Sequence, residues 1–61
     1  MFVITSTIDH KGKDIDVYYV GHGTGEDTIW SDNIDHSMTL TLERAEDIAE
    51  NLIEVTSIRT R

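Results

Sequence analysis

Two alternating segments on either side of a short polar stretch limit the possible folds of this chain most strongly. Residues 2–8, FVITSTI, are rich in β-branched residues, and residues 14–20, DIDVYYV, alternate between apolar and polar side chains. Gly12 lies in the polar stretch between them and can adopt the positive φ of a tight turn. The pattern predicts an antiparallel β-hairpin. Its apolar face would carry Phe2, Ile4, Ile8, Ile15, Val17 and Tyr19.

The opposite face of this hairpin is expected to meet water, because an antiparallel sheet is often covered on one side only. Asp14 and Asp16 alternate with the apolar residues of the second strand, and Tyr18 points with them. An exposed tyrosine is a common anchor in protein interfaces, so we expect Tyr18 to be available to a partner.

The rest of the chain predicts one helix between strands. TIW at 28–30 would form an optional third strand, and EVTSIR at 54–59 a closing strand. A helix is expected from about Leu42 to Leu52, with Thr41 as its N-cap and Thr39 as the rival cap. The prediction is a single α+β domain over residues 1–61, in the order β-β-(β)-α-β. The pattern leaves open whether the last strand pairs with the first or the second.

The predicted helix has an apolar and an acidic face. At about 100° per residue, like charges fall at i,i+4 on the acidic side, which costs an isolated helix a few tenths of a kcal/mol per pair. The acids are either a solvated surface whose first-turn members suit the helix dipole, or a surface kept for a partner. The apolar face comprises Leu42, Ala45, Ile48, Ala49, Leu52 and Ile53, and the acidic face Glu43, Glu46, Asp47, Glu50 and Glu54.

The charge balance restricts the partners that we expect. Twelve acidic and five basic residues give a formal net charge of -7. Such a field repels nucleic acid and anionic membranes and speeds encounter with basic protein surfaces. The chain lacks cysteine, a leader-like start and an apolar run of about 18 residues, so we expect a cytoplasmic protein without disulfides. A chain of this length buries only about 60% of its unfolded surface, which leaves homodimerisation open.

No motif predicts catalysis. GHGTG at 21–25 follows a strand, but Glu26, Asp27 and another strand come next, whereas phosphate-binding loops lead into a helix. His10, His22 and His36 lack the spacing of a readable zinc site. No cysteine nucleophile exists, and no serine stands in a hydrolase motif. We therefore expect no enzyme activity, no cofactor and no metal.

Two stretches resemble bacteriophage proteins. The run from Trp30 through the Thr41 cap into LERAEDIAENL is similar to a pattern of short proteins of tailed bacteriophages. ERAEDIAEN followed by IEVTSIRTR resembles the small RNA-polymerase inhibitors of some coliphages, although the connection is shorter here and GHGTGED has no counterpart. The resemblance implies that Arg59 and Arg61 contact the target.

Two functions are consistent with these features. The first is a phage-type inhibitor that blocks a host RNA polymerase, restriction enzyme or CRISPR effector, the last two of which have positively charged channels for nucleic acid. The second is a homodimer that completes a sheet across an edge strand and has no external target. The expected partner-binding residues of the inhibitor are Glu43, Glu46, Asp47, Glu50, Glu54, Asp14, Asp16, Tyr18, Arg59 and Arg61.

Overall fold

The computed structural model describes residues 1–23 and 27–61, so the predicted connecting loop GHGTGED lies in part outside the described residues. A four-stranded antiparallel sheet and one helix confirm the α+β class. The sheet order is β3-β2-β1-β4, so the last strand pairs with the first. The elements are β1 (Phe2–His10), β2 (Lys13–His22), β3 (Thr28–Ser31), a 3₁₀ helix (Ile34–His36), α1 (Leu42–Glu50) and β4 (Thr56–Thr60).

The predicted hairpin is confirmed and is longer than its sequence pattern indicated. Its turn consists of Lys11 and Gly12, with φ angles of 54° and 79°. Positive φ at both central residues is the signature of a type I′ turn, whose twist matches that of the flanking strands. The polar residues next to the turn therefore continue the ladder, with Asp9 opposite Asp14 and His10 opposite Lys13.

The third strand is formed, and its pairing with β2 contains a β-bulge. Tyr19 pairs with Trp30 and Gly21 with Ile29, so Val20 is an extra residue on β2. A bulge of this kind increases the local twist. Beyond it, the chain at Leu40 runs beside Phe2, and the two residues exchange main-chain hydrogen bonds of 2.8 Å in both directions. The segment before the helix is thereby fixed against the start of β1.

The core lies between the helix and one face of the sheet. Ile4, Tyr19, Leu40 and Ala45 are buried in one cluster. The rings of Tyr19 and Trp30 meet edge to face with centroids 6.0 Å apart, a favourable geometry for aromatic pairs. Half-buried apolar residues surround this cluster: Phe2, Trp30, Ile48, Ala49, Leu52 and Ile58.

The helix begins where predicted and ends earlier. The side chain of Thr41 accepts a hydrogen bond from the amide of Arg44 at 3.3 Å, which confirms Thr41 as the N-cap. Asn51 ends the helix, because its side chain and its amide both bond to carbonyls of the last turn. The predicted end at Leu52 is therefore wrong. Ile53 and Leu42, both expected on the core face, are 99% and 45% exposed.

The sequence predicts that one face of the sheet is buried and the other meets water, but two side chains on the face away from the helix are buried as well. Val3 and Thr5 face away from the helix and yet are buried. They lie on β1, which has β2 on one side and β4 on the other, so side chains of the neighbouring strands flank them on the face away from the helix. Ile8, expected in the core, is 45% exposed because β4 reaches only as far as Ser6.

Candidate functional site: an acidic helix face

Four carboxylates project from α1 into solvent. Glu43, Glu46, Asp47 and Glu50 are all exposed, and together they form what we call the acidic helix face. In the described part of the chain none of them takes part in an ion pair, since the pair found there joins Arg61 to Asp35. The acidic helix face therefore presents four like charges whose Coulomb interactions with one another are unfavourable.

The order of charges along α1 works against its stability. Glu43 lies in the first turn, where the partial positive charge of the helix end stabilises a carboxylate. The last turn contains no basic residue, and Glu50 there faces the partial negative charge of the C-terminus. Glu46 and Glu50 are like charges at i,i+4. Of the acids on this helix, only Glu43 is placed where the helix itself favours it.

Glu54 lies outside the helix, in the connection to β4, and so is not part of the acidic face to which the sequence assigns it. It lines a depression of about 480 Å³ between the C-terminal end of α1 and the β2–β3 hairpin. His22 and Asp27 lie across this depression from Leu52 and Ile53. Two carboxylates near the negative end of a helix attract cations, so the depression extends the acidic surface around that end.

The other predicted acidic residues lie on the far side of the sheet. Asp14 and Asp16 share a face with Thr5 and Thr7, because residues opposite each other in an antiparallel pair point to the same side. Thr7 donates a hydrogen bond to Asp16 at 3.2 Å, and Tyr18 on this face is half-buried. Because the helix packs on the opposite face, one flat partner surface cannot contact both acidic groups.

The two predicted interface arginines occupy different environments. Arg59 is exposed on the far face and, with Asp16, lines a shallow depression of about 220 Å³. Thr5, Thr7 and Ser57 supply hydroxyl groups to its wall. Arg61 is engaged within the chain by Asp35 and by the carbonyl of Ile34. Of these two arginines, only Arg59 presents a guanidinium that has no ion pair in the described residues.

The histidines do not assemble into a site with one another. His22 packs edge to face on Tyr19 with centroids 5.5 Å apart, and His36 lies 3.3 Å from the hydroxyl of Ser31. Across residues 1–23 and 27–61, no three histidine or carboxylate side chains converge as a metal site would require. Within the same ranges no helix has the length and apolar character needed to cross a membrane.

Sequence reasoning missed the exposure of two apolar residues next to β4. Ile53, assigned to the core face, and Val55, assigned to the closing strand, are 99% and 91% exposed. Asn51 was the available signal, because asparagine commonly ends helices and the chain after it leaves the helical phase.

Comparison of the chain with protein-family models, with curated proteins and with solved structures gives no match.

Proposed function

We propose that this protein binds a basic surface of a nucleic-acid-handling enzyme through its acidic helix face and blocks access of the nucleic acid. The observation that carries the proposal is the set of four exposed carboxylates on one short helix, none of them paired with a cation in the described residues. Such an arrangement costs the free protein stability and is compensated when a cationic surface covers it.

The spacing of these charges supports mimicry of a phosphate backbone. Glu43 and Glu50 are seven residues apart, which is about 10 Å along a helix axis. The four carboxylates lie at successive axial intervals of about 4.5, 1.5 and 4.5 Å, and the mean of about 3.5 Å is close to the ~3.4 Å per phosphate along one strand of DNA. A channel that binds such a strand would meet a similar linear charge density on α1.

The whole-chain field supports the same partner class. A formal charge of -7 on 61 residues raises the rate of encounter with a basic groove, and that effect falls as salt is added. Restriction enzymes and CRISPR effectors have positively charged nucleic-acid channels of this kind, and host RNA polymerase is the target of the coliphage inhibitors that the C-terminal part of the sequence resembles. On this proposal the chain acts by occupying the groove and performs no chemistry itself.

The test is an inhibition assay with purified bacterial RNA polymerase, a restriction endonuclease and a CRISPR effector. The variant Glu46→Lys, Asp47→Lys and Glu50→Lys reverses the acidic helix face. The matched control, Asp9→Lys, Asp14→Lys and Asp16→Lys, changes the net charge equally on the far face of the sheet. We expect the wild type and the control to inhibit one enzyme and the helix variant to lose inhibition. Equal inhibition by the helix variant would contradict the proposal.

A further inference from the structure

Strand β4 forms one outer edge of the sheet, and its main-chain groups alternate between the sheet and solvent. The amide of Arg61 donates to the carbonyl of Met1 at 2.8 Å, so the main chain of Arg61 faces β1. Alternation along an antiparallel ladder turns Ser57 and Arg59 the same way. The N–H and C=O groups of the intervening residues face outward. These residues are Thr56, Ile58 and Thr60.

This edge has neither of two features that commonly prevent strand addition, a proline and a β-bulge. The chain contains no proline, and the β1–β4 register runs without a bulge from Phe2–Thr60 to Ser6–Thr56. The opposite edge, β3, has only four residues and carries a register shift at its junction with β2. Short strands and bulges are devices that block edge pairing, so β4 is the edge open to another strand.

Exposed apolar surface adjoins this edge. Val55 directly precedes β4 and is 91% exposed, and Ile53 two residues earlier is 99% exposed. Aliphatic side chains at these fractions bury almost nothing in the free chain. Val55 lies where a strand added to β4 would continue past its first residue.

We propose that β4 pairs antiparallel with β4 of a second copy of this chain, with Ile58 on the two-fold axis. In this register the outward groups of Ile58 bond to their symmetry mates, and those of Thr56 bond to Thr60 of the second copy. All outward-facing groups of the strand are then satisfied by one self-complementary edge, as an isologous interface requires.

The side chains across this interface are compatible with the same register. Arg59 lies opposite Ser57 of the second copy, so no like charges are directly opposed. Val55 lies opposite Arg61 of the second copy, whose methylene groups offer apolar contact. Pairing also joins two small sheets into one, which supplies the burial that a chain of 61 residues otherwise lacks.

The interface is separate from the acidic helix face and differs from it in salt dependence. Two copies of charge -7 repel each other, so screening by salt strengthens the dimer. The same screening weakens binding of the acidic helix face to a basic partner. Failure of one proposal is therefore distinguishable from failure of the other.

The experiment measures mass by analytical ultracentrifugation and amide hydrogen exchange by NMR over a range of protein concentrations. We expect a monomer–dimer equilibrium that tightens with salt. In the dimer, the amides of Thr56, Ile58 and Thr60 should exchange at least about tenfold more slowly than at low concentration. The amides of Ser57 and Arg59, which face β1, should be protected at every concentration.

Two variants test the edge directly. Thr60→Pro removes an outward N–H without breaking a bond to β1, and we expect it to weaken dimerisation at least about tenfold. Thr60→Val retains that N–H and should dimerise like the wild type. A chain that stays monomeric at about millimolar concentration would overturn the proposal. So would a dimer in which the outward amides of β4 exchange freely.

Discussion

The guanidinium of Arg61 donates a hydrogen bond to the carboxylate of Asp35 across 2.7 Å, which joins residues 26 positions apart in the chain. The same guanidinium also bonds to the carbonyl of Ile34. These bonds link the end of β4 to the 3₁₀ helix, which itself contacts β2. They therefore connect two strands that β1 separates in the sheet. Arg61, which the phage resemblance assigns to target binding, therefore has a structural role in the free chain.

Removal of this contact should have a small effect on stability. We expect Asp35→Asn to lower the free energy of unfolding by less than about 1 kcal/mol, because the carboxylate is largely exposed and screened. Arg61→Ala should cost more, since the bond to Ile34 is lost as well. A double-mutant cycle in urea at low salt measures the coupling between the two side chains. Zero coupling would mean that the pair contributes nothing to folding.

The N-cap of α1 gives a prediction about stability, and the rival cap position supplies the control. We expect Thr41→Ala to lower the free energy of unfolding by about 1 kcal/mol, because the amide of Arg44 loses its side-chain acceptor. Thr39→Ala, at the rival cap position, should change stability by less than about 0.5 kcal/mol. Urea denaturation of both variants measures the difference. The reverse order would show that the helix starts two residues earlier.

Two charge reversals on α1 should change stability in opposite directions. Glu50→Lys places a cation in the last turn and converts a repulsive pair with Glu46 into an attractive one, so we expect a gain of about 0.5 kcal/mol. Glu43→Lys places the same charge in the first turn and should cost less than about 0.5 kcal/mol, because an attractive i,i+4 pair with Asp47 offsets part of the lost interaction with the helix dipole. Thermal unfolding at low salt compares the two, which have the same net charge. Destabilisation by Glu50→Lys would indicate a favourable intramolecular role for that carboxylate.

The core should depend on one central isoleucine. Ile4→Val removes a methylene group from a fully buried side chain, and we expect a loss of about 0.5–1.5 kcal/mol. Ile53→Val makes the same chemical change at a side chain that is 99% exposed and should have almost no effect on the monomer. Urea denaturation of both variants at low protein concentration, where a dimer does not form, provides the comparison. Equal losses would contradict the core described above.

The features that could be predicted from the sequence are those set by local chemistry. The hairpin followed from period-2 alternation around Gly12, and the helix start followed from the Thr41 cap. The helix end was predicted too late because Leu52 and Ile53 continue the apolar period, whereas the two hydrogen bonds that Asn51 makes to the last turn stop it. Sheet order depends on pairing between distant segments, which a local pattern does not encode.

The sequence predicted which acidic residues share one face of α1, but it did not predict which other acidic residues lie on the same side of the molecule. Helical periodicity grouped Glu43, Glu46, Asp47 and Glu50, and the structure leaves them exposed on one helix. Asp14 and Asp16 were grouped with them from their exposure alone. Which side of the sheet the helix covers depends on tertiary packing, and that packing places these aspartates on the opposite face.

The most direct test of the central claim is the salt dependence of binding between this protein and the nucleic-acid-handling enzyme that we propose it inhibits, measured by surface plasmon resonance. We predict that the dissociation constant of the wild type rises steeply with salt, and that Glu46→Lys, Asp47→Lys and Glu50→Lys together abolish binding. The matched variant Asp9→Lys, Asp14→Lys and Asp16→Lys should retain binding and most of the salt slope. Equal affinity of the wild type and the helix variant at all salt concentrations would contradict a role for the acidic helix face.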